Sequence, residues 1–120
     1  MKPDISDTGF GYIIIEGSKI EYDIFIRLSG KIKKRKKKLS KAVYGTSHTI
    51  SLEEIKYIYQ DSADLLIIGS GQEDMVRLSK EAADYLNKKK CKVNLQPTPK
   101  AIKYWNNAKG AVIGLFHITC

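Results

Sequence analysis

His117, Thr119 and Cys120 bring an imidazole, a hydroxyl and a thiol together at the end of an apolar run, Gly110-Ala111-Val112-Ile113-Gly114-Leu115-Phe116. A thiol or hydroxyl beside an imidazole is the raw material of nucleophilic catalysis, because the ring can take the proton that makes the nucleophile reactive. The apolar run reads as a buried strand, and side chains along a strand alternate between faces. His117 and Thr119 therefore share one face, while Ile118 and Cys120 take the other. The carboxylate on Cys120 further disfavours a thiolate, which needs an electropositive setting. The residues thus argue against a Cys120–His117 pair. They favour a buried His117 hydrogen-bonded to a neighbouring loop, with Asp7, Ser6 or Thr98 as its partner. No residue is assigned as catalytic.

A second group with chemical potential is Gly69-Ser70-Gly71-Gln72, which follows an apolar run. Glycines let backbone amides approach an anion, and a helix start behind them would reinforce the attraction. A dinucleotide fingerprint requires a third glycine on a helix that starts at once. Here Glu73 and Asp74 follow instead, and two carboxylates at the mouth repel phosphate. The segment reads as a strand-ending turn that needs positive φ, with a small neutral or polar ligand near Gln72 as the binding alternative. Metal chemistry has little to draw on. Among His48, Cys91, His117 and Cys120 only His117 and Cys120 are closely spaced, and a strand splays them apart. No metal and no cofactor is expected.

The third group is electrostatic. The formal charge is +8, yet Lys31, Lys33, Lys34, Arg35, Lys36, Lys37 and Lys38 place seven positive charges in eight positions and leave the rest of the chain near +1. Basicity is a local property of this segment. Lysines on an exposed edge strand guard against aggregation; a flexible loop is a second reading of the run; and the same charges can neutralise phosphates. Only Tyr44 lies near enough in sequence to stack on a base, and no recognition motif accompanies it. The segment predicts weak, sequence-independent polyanion contact through Lys33, Lys34, Arg35, Lys36 and Lys37.

These groups need a scaffold, and the hydrophobic pattern supplies it. Tyr12–Glu16 reads as a strand, Gly17-Ser18 as a two-residue hairpin turn, and Ile20 to Leu28 as one nine-residue alternating strand. Ser29-Gly30 turns the chain into a short exposed strand over Lys31–Lys37. Ser51-Leu52-Glu53-Glu54 is a capping box for a helix carrying Leu52, Ile55 and Tyr59. Asp64–Ile68 is a short apolar strand buried on both faces. Ser79 caps a helix that runs through Lys90, Cys91–Leu95 is a strand, and Thr98-Pro99 opens the last helix as N-cap and N1. The final strand follows Gly110. A meander followed by β-α-β-α-β, with right-handed crossovers, predicts a three-layer α/β sandwich on a five-stranded mixed sheet. The last strand should lie beside Leu65–Ile68, the two crossover helices on opposite faces, and the hairpin at one edge.

At 120 residues, 42% apolar and 28% charged, the chain is expected to be one domain spanning 1–120 with an ordinary globular core. No apolar stretch nears the ~18 residues of a membrane span. The N-terminus lacks a signal-peptide core, and two cysteines are too few for a disulfide framework. A reduced, cytoplasmic protein without membrane contact is the expectation.

Four short patterns occur in order: Ser6-Asp7-Thr8 with Phe10-Gly11, Gly69-Ser70-Gly71, Pro97-Thr98-Pro99 with Ala101 and Asn106, and His117-Ile118-Thr119-Cys120. Together they resemble a family of small domains of unknown biochemical function from archaea and bacteria. Its eukaryotic relatives include a mitochondrial respiratory complex I assembly factor and an adipogenesis-associated cytosolic protein. The resemblance implies a compact three-layer α/β fold and carries no catalytic residues. Lys100 stands where an acidic residue is common in the family, and Trp105 where tyrosine is common. The combined reading is a binding or assembly module with an unidentified protein partner. One alternative is a small-molecule enzyme whose pocket gathers Asp7, Thr8, Gly69, Ser70, Gly71, Gln72, Thr98 and His117 at the carboxyl edge of the parallel strands. The other is non-specific nucleic-acid binding through the lysine run.

Overall fold

The computed structural model describes residues 2–120. In chain order its elements are β1 (Ile5–Gly9), β2 (Tyr12–Ile15), β3 (Ser18–Ile20), β4 (Ile24–Ile26), β5 (Ile32–Lys34), α1 (Lys38–Tyr44), β6 (Thr49–Ile50), α2 (Leu52–Ile58), β7 (Leu65–Ser70), β8 (Arg77–Leu78), α3 (Lys80–Lys88), β9 (Lys92–Gln96), α4 (Thr98–Asn107) and β10 (Val112–His117). The central sheet has five strands in the order β5-β4-β10-β7-β9. β10 runs parallel to β7, and β7 to β9, while β4 is antiparallel to β10 and β5 to β4. The mixed five-stranded sheet, and the return of the last strand beside Leu65–Ile68, are as the pattern predicts. No helix among the described residues is long and apolar enough to cross a membrane.

Strand alternation divides the core in two. Phe25, Leu66, Ile68, Ile113 and Leu115 pack with Ile55 and Ile58 of α2 and Ala82 and Leu86 of α3. Ile24, Ile26, Ile67, Val112 and Phe116 turn the other way, toward Ala101, Ile102 and Trp105 of α4 and Ile5, Ile13 and Ile15 of β1 and β2. The crossover helices α3 and α4 therefore lie on opposite faces, as expected. All six residues of β10 are buried, and its position between β4 and β7 explains why so apolar a segment is required there.

Local structure departs from the sequence reading in several places, each for a physical reason. The nine-residue strand over Ile20–Leu28 is broken at Glu21-Tyr22-Asp23. Its first part, β3, joins β1 and β2 in a separate three-stranded sheet, and its second, β4, enters the central one. The hairpin that extends the central sheet is therefore β4–β5, and the break exists because the Asp23 side chain turns inward to charged partners. The β2–β3 turn is Glu16-Gly17, not Gly17-Ser18, with both residues left-handed at φ 48 and 80, the conformation a two-residue hairpin needs. Ser6, Asp7 and Thr8 lie inside β1 rather than before the first strand. α3 ends at Lys88 and β9 spans Lys92–Gln96. Thr98 is the first residue of α4, preceded by Pro97, and does not cap it. The capping box is half made: Ser51 Oγ accepts from Glu54 N at 3.2 Å, but the Glu54 carboxylate is drawn to Arg35.

Gly114 is set by packing. A Cβ there would meet Phe116 Cε2 at 2.7 Å and Trp105 Cζ3 at 2.9 Å, and these two rings are in edge-to-face contact at 5.8 Å. Gly114→Ala should destabilise the protein by about 1–3 kcal/mol, the usual penalty for overfilling a packed core. Urea unfolding checks this, and an unchanged midpoint would show that the α4 face tolerates an extra methyl.

Candidate functional site

The site is assembled around one buried carboxylate. Asp23 sits in the break between β3 and β4 and is 2% exposed. Its Oδ1 accepts from Ile118 N at 2.9 Å. Its Oδ2 lies 2.6 Å from His117 Nδ1 and 2.9 Å from Arg35 Nη1. Lys37 Nζ approaches the same oxygen at 3.6 Å from the rim.

Arg35 immediately follows β5. It shares the strand parity of Lys33, which pairs with Phe25, and so turns to the face covered by α2 and α3. There Nε donates to Glu54 Oε2 at 2.6 Å and Nη2 to Glu54 Oε1 at 3.1 Å, a bidentate pair. Nη2 also donates to Ser47 O at 2.8 Å. Ser40 Oγ completes Glu54 and accepts from Ser51 N at 2.9 Å. Among the described residues, no fully buried side-chain nitrogen or oxygen lacks a partner. Arg35 is thus removed from the expected polyanion surface; it is 5% exposed and its guanidinium is committed to two carboxylates.

Charge and burial set the protonation of this cluster. Burial pushes the Asp23 carboxyl up, but the hydrogen bond and charge of His117, the Ile118 amide and the Arg35 cation together bring it down to about 2. Burial would lower Arg35; the hydrogen bond and charge of Glu54, then Asp23, outweigh it and raise it. A carboxylate only accepts, so His117 Nδ1 carries a proton, and Nε2 is the ring nitrogen that faces Thr119 Oγ1 at 3.1 Å. The His48 ring stands edge-on to His117 at 5.5 Å. The expected shared face of His117 and Thr119 is realised. The partner of His117 is Asp23, not Asp7, Ser6 or Thr98; the tertiary fold brings it from 94 residues away, and no local spacing signals that.

The Gly69–Gln72 segment has a different role. Gly71 N donates to Thr98 Oγ1 at 2.9 Å, Gln72 N to Thr119 O at 2.6 Å, Glu73 N to Cys120 O at 3.0 Å and Val76 N to Ser70 O at 3.0 Å. These amides are engaged within the protein and form no cradle for an anion. At Gly71 φ is +101, and a Cβ would lie 2.2 Å from Cys120 C. A glycine is required because the chain end passes directly against it. Thr98 Oγ1 donates to His117 O at 2.6 Å, so Gly71, Thr98 and His117 do meet, through backbone. Gln72 Nε2 donates to Thr8 Oγ1 at 3.1 Å. Gly69 lies close to Thr98, Ser70 bonds Asp74, and exposed Asp7 is 3.4 Å from Tyr12 Oη. The eight expected pocket residues therefore meet only in part.

Open space lies beside Asp23 and Thr119 instead. A cavity of about 370 Å³ is lined by Tyr22, Asp23, Lys34, Arg35, Lys37 and Thr119, among others. Sequence reasoning missed Asp23 and Thr119 as site residues. The alternation over Ile20–Leu28 puts Asp23 among the outward positions, so no local signal in the sequence marks its burial. Cys91 is buried and its thiol pushed up to about 11 by that burial, which leaves it inert. No cluster of three or more metal-ligating side chains occurs among the described residues.

Residues 5–113 match a family model described as a protein of unknown function, DUF498/DUF598. A conserved hypothetical protein from Pyrococcus horikoshii OT3 has a crystal structure that superimposes with a TM-score of 0.91 at 31% identity, covering 98% of this chain and 99% of that one. The structure called MT938 gives 0.84 at 28% identity, over 99% and 100% of the two chains. An outer membrane protein from Bartonella henselae gives 0.68 at 21% identity, over 99% and 97%; at that identity the likeness is one of fold alone.

The cluster predicts an acid response. Asp23 titrates at about 2 in the folded protein against an ordinary value of 3.8, so its contribution is complete above about pH 4 and is lost as pH falls through 2. The stability gap between the wild type and Asp23→Asn should narrow by about 2 kcal/mol between pH 5 and pH 2. Urea unfolding of both proteins at the two pH values measures it. A gap that stays constant would show that Asp23 is not held ionised by these partners.

Proposed function

The chain belongs to the DUF498/DUF598 family of proteins of unknown function, and we propose that it is a binding or assembly module that receives an acidic, extended segment of a partner protein along β5. The observation that carries this is the edge itself. β5 is an outer strand, with β4 on one side only. Arg35 N donates to Asp23 O and Arg27 N to Lys31 O, so the odd-numbered positions of this ladder bond toward β4. The amides of Ile32 and Lys34 accordingly point outward, the arrangement that adds a strand. Lys31, Lys33, Lys34, Lys36 and Lys38 are exposed around them. Such an edge repels a second basic copy and attracts an acidic chain.

This reading agrees with the resemblance to a family that includes a respiratory complex I assembly factor and an adipogenesis-associated cytosolic protein. It also suits a single domain working in the cytoplasm, where free Cys91 and Cys120 stay reduced. The same lysines favour a second reading, weak polyanion contact without Arg35, and the two separate on backbone dependence. Counterion release needs charge alone; strand addition also needs the outward amides.

A labelled peptide of alternating acidic and β-branched residues should bind at physiological salt. Lys34→Pro, which removes one outward amide, should weaken it at least tenfold while leaving heparin and single-stranded RNA binding within about threefold. Lys33→Ser with Lys36→Ser should weaken all three. If RNA or heparin binds more tightly than the peptide at physiological salt, or Lys34→Pro has no selective effect, the docking reading fails.

A further inference from the structure

We propose that Thr119, His117 and Asp23 form a nucleophile, base and carboxylate relay that opens into the 370 Å³ cavity and transfers acyl groups from esters or thioesters bearing a second, anionic end. The relay itself rests on observations independent of the β5 edge. The hydroxyl, imidazole and carboxylate form one unbroken chain, 3.1 Å from Thr119 Oγ1 to His117 Nε2 and 2.6 Å from Nδ1 to Asp23 Oδ2. Its two ends, Thr119 and Asp23, both line the cavity. Thr119 is part-buried and lines the cavity, while His117 behind it is 2% exposed. The carboxylate is fixed from three directions, by Ile118 N, by Arg35 and by the imidazole. Such a carboxylate holds the ring in the tautomer whose Nε2 can take a proton.

The reaction follows from these positions. Thr119 Oγ1 attacks the acyl carbonyl as its proton passes to His117 Nε2; the Oγ1–carbon bond forms, and the bond from carbon to the alkoxide or thiolate breaks. His117 returns the proton to the departing oxygen or sulfur. Water, deprotonated by the same nitrogen, then attacks the acyl-threonine, releasing the carboxylic acid and restoring the hydroxyl. Asp23 is a positioning residue, acting through the imidazolium that forms in each half. Lys34 and Lys37 on the cavity wall select the anionic end of the acyl group, and the volume suits a short dicarboxylic half-ester.

Mono-p-nitrophenyl adipate and p-nitrophenyl acetate are the probes. Acid-quenched single-turnover samples should carry the acyl group on Thr119 by peptide mapping, and the adipate ester should react faster than the acetate. Thr119→Val, close in shape and without the hydroxyl, should lose at least a hundredfold in rate with its thermal transition retained, as should His117→Gln. Thr119→Ser should stay within about tenfold of the wild type. Asp23→Asn, assayed where it is folded, should lower kcat while KM stays within about twofold. Acylation confined to lysines, or a Thr119→Val protein as fast as the wild type, would overturn the proposal. Equal rates for the two esters would overturn the anionic substrate class.

Discussion

The structure depends on one buried guanidinium that bridges two buried carboxylates, whose remaining demands fall to neighbouring donors. Moving an isolated ion out of water costs several kcal/mol even after relaxation, and a buried pair recovers this only when its geometry and its remaining hydrogen bonds are complete. Asp23, Arg35 and Glu54 meet that condition through Ser40, Ser47, His117 and Ile118. These residues come from the β3–β4 break, the β5–α1 junction, α2, the segment before β6 and the end of β10. No two of those segments can shift without leaving a charge unpaired. The cluster therefore fixes register among parts of the chain that apolar packing alone would hold less specifically.

The same constraint explains why the chain closes as it does. The Ile118 amide is a ligand of Asp23, and beyond it the carbonyls of Thr119 and Cys120 accept from Gln72, Glu73 and Met75. Gly71 must lack a side chain for that passage to exist. The glycine-containing loop, whose composition invites a phosphate reading, is thus a socket for Thr119 and Cys120. Asp23 and Arg35 of the cluster instead line a cavity whose wall also carries Lys34 and Lys37.

Much of the architecture is legible in the sequence because it follows from periodicity. The apolar run of β10, the caps at Ser51 and Ser79, and the return of the last strand beside β7 are all local patterns or rules of connection. The site is legible only in part. His117 announces itself by type, and strand parity places Thr119 on its face without marking it as a site residue. Asp23 does not, because its partners lie 12 and 94 residues away along the chain. Arg35 is hidden among six lysines within Lys31–Lys38; only the tertiary position of Glu54 separates it from them. The planar, permanently charged fork of arginine is what the buried position selects, where a lysine could not bridge two carboxylates as well.

If the buried cluster is what holds the chain end in the fold, the Ile118 and Arg35 amides can open only when the whole molecule does. Native-state hydrogen exchange on the folded protein tests this most directly. The account predicts that both amides, which bond to Asp23 Oδ1 and Asp23 O, exchange with the same opening free energy as Ile67 and Ile68 at the centre of β7. Exchange of Ile118 at a free energy several kcal/mol lower, with β7 still protected, would show that the chain end opens on its own, and would contradict the cluster as the organising constraint.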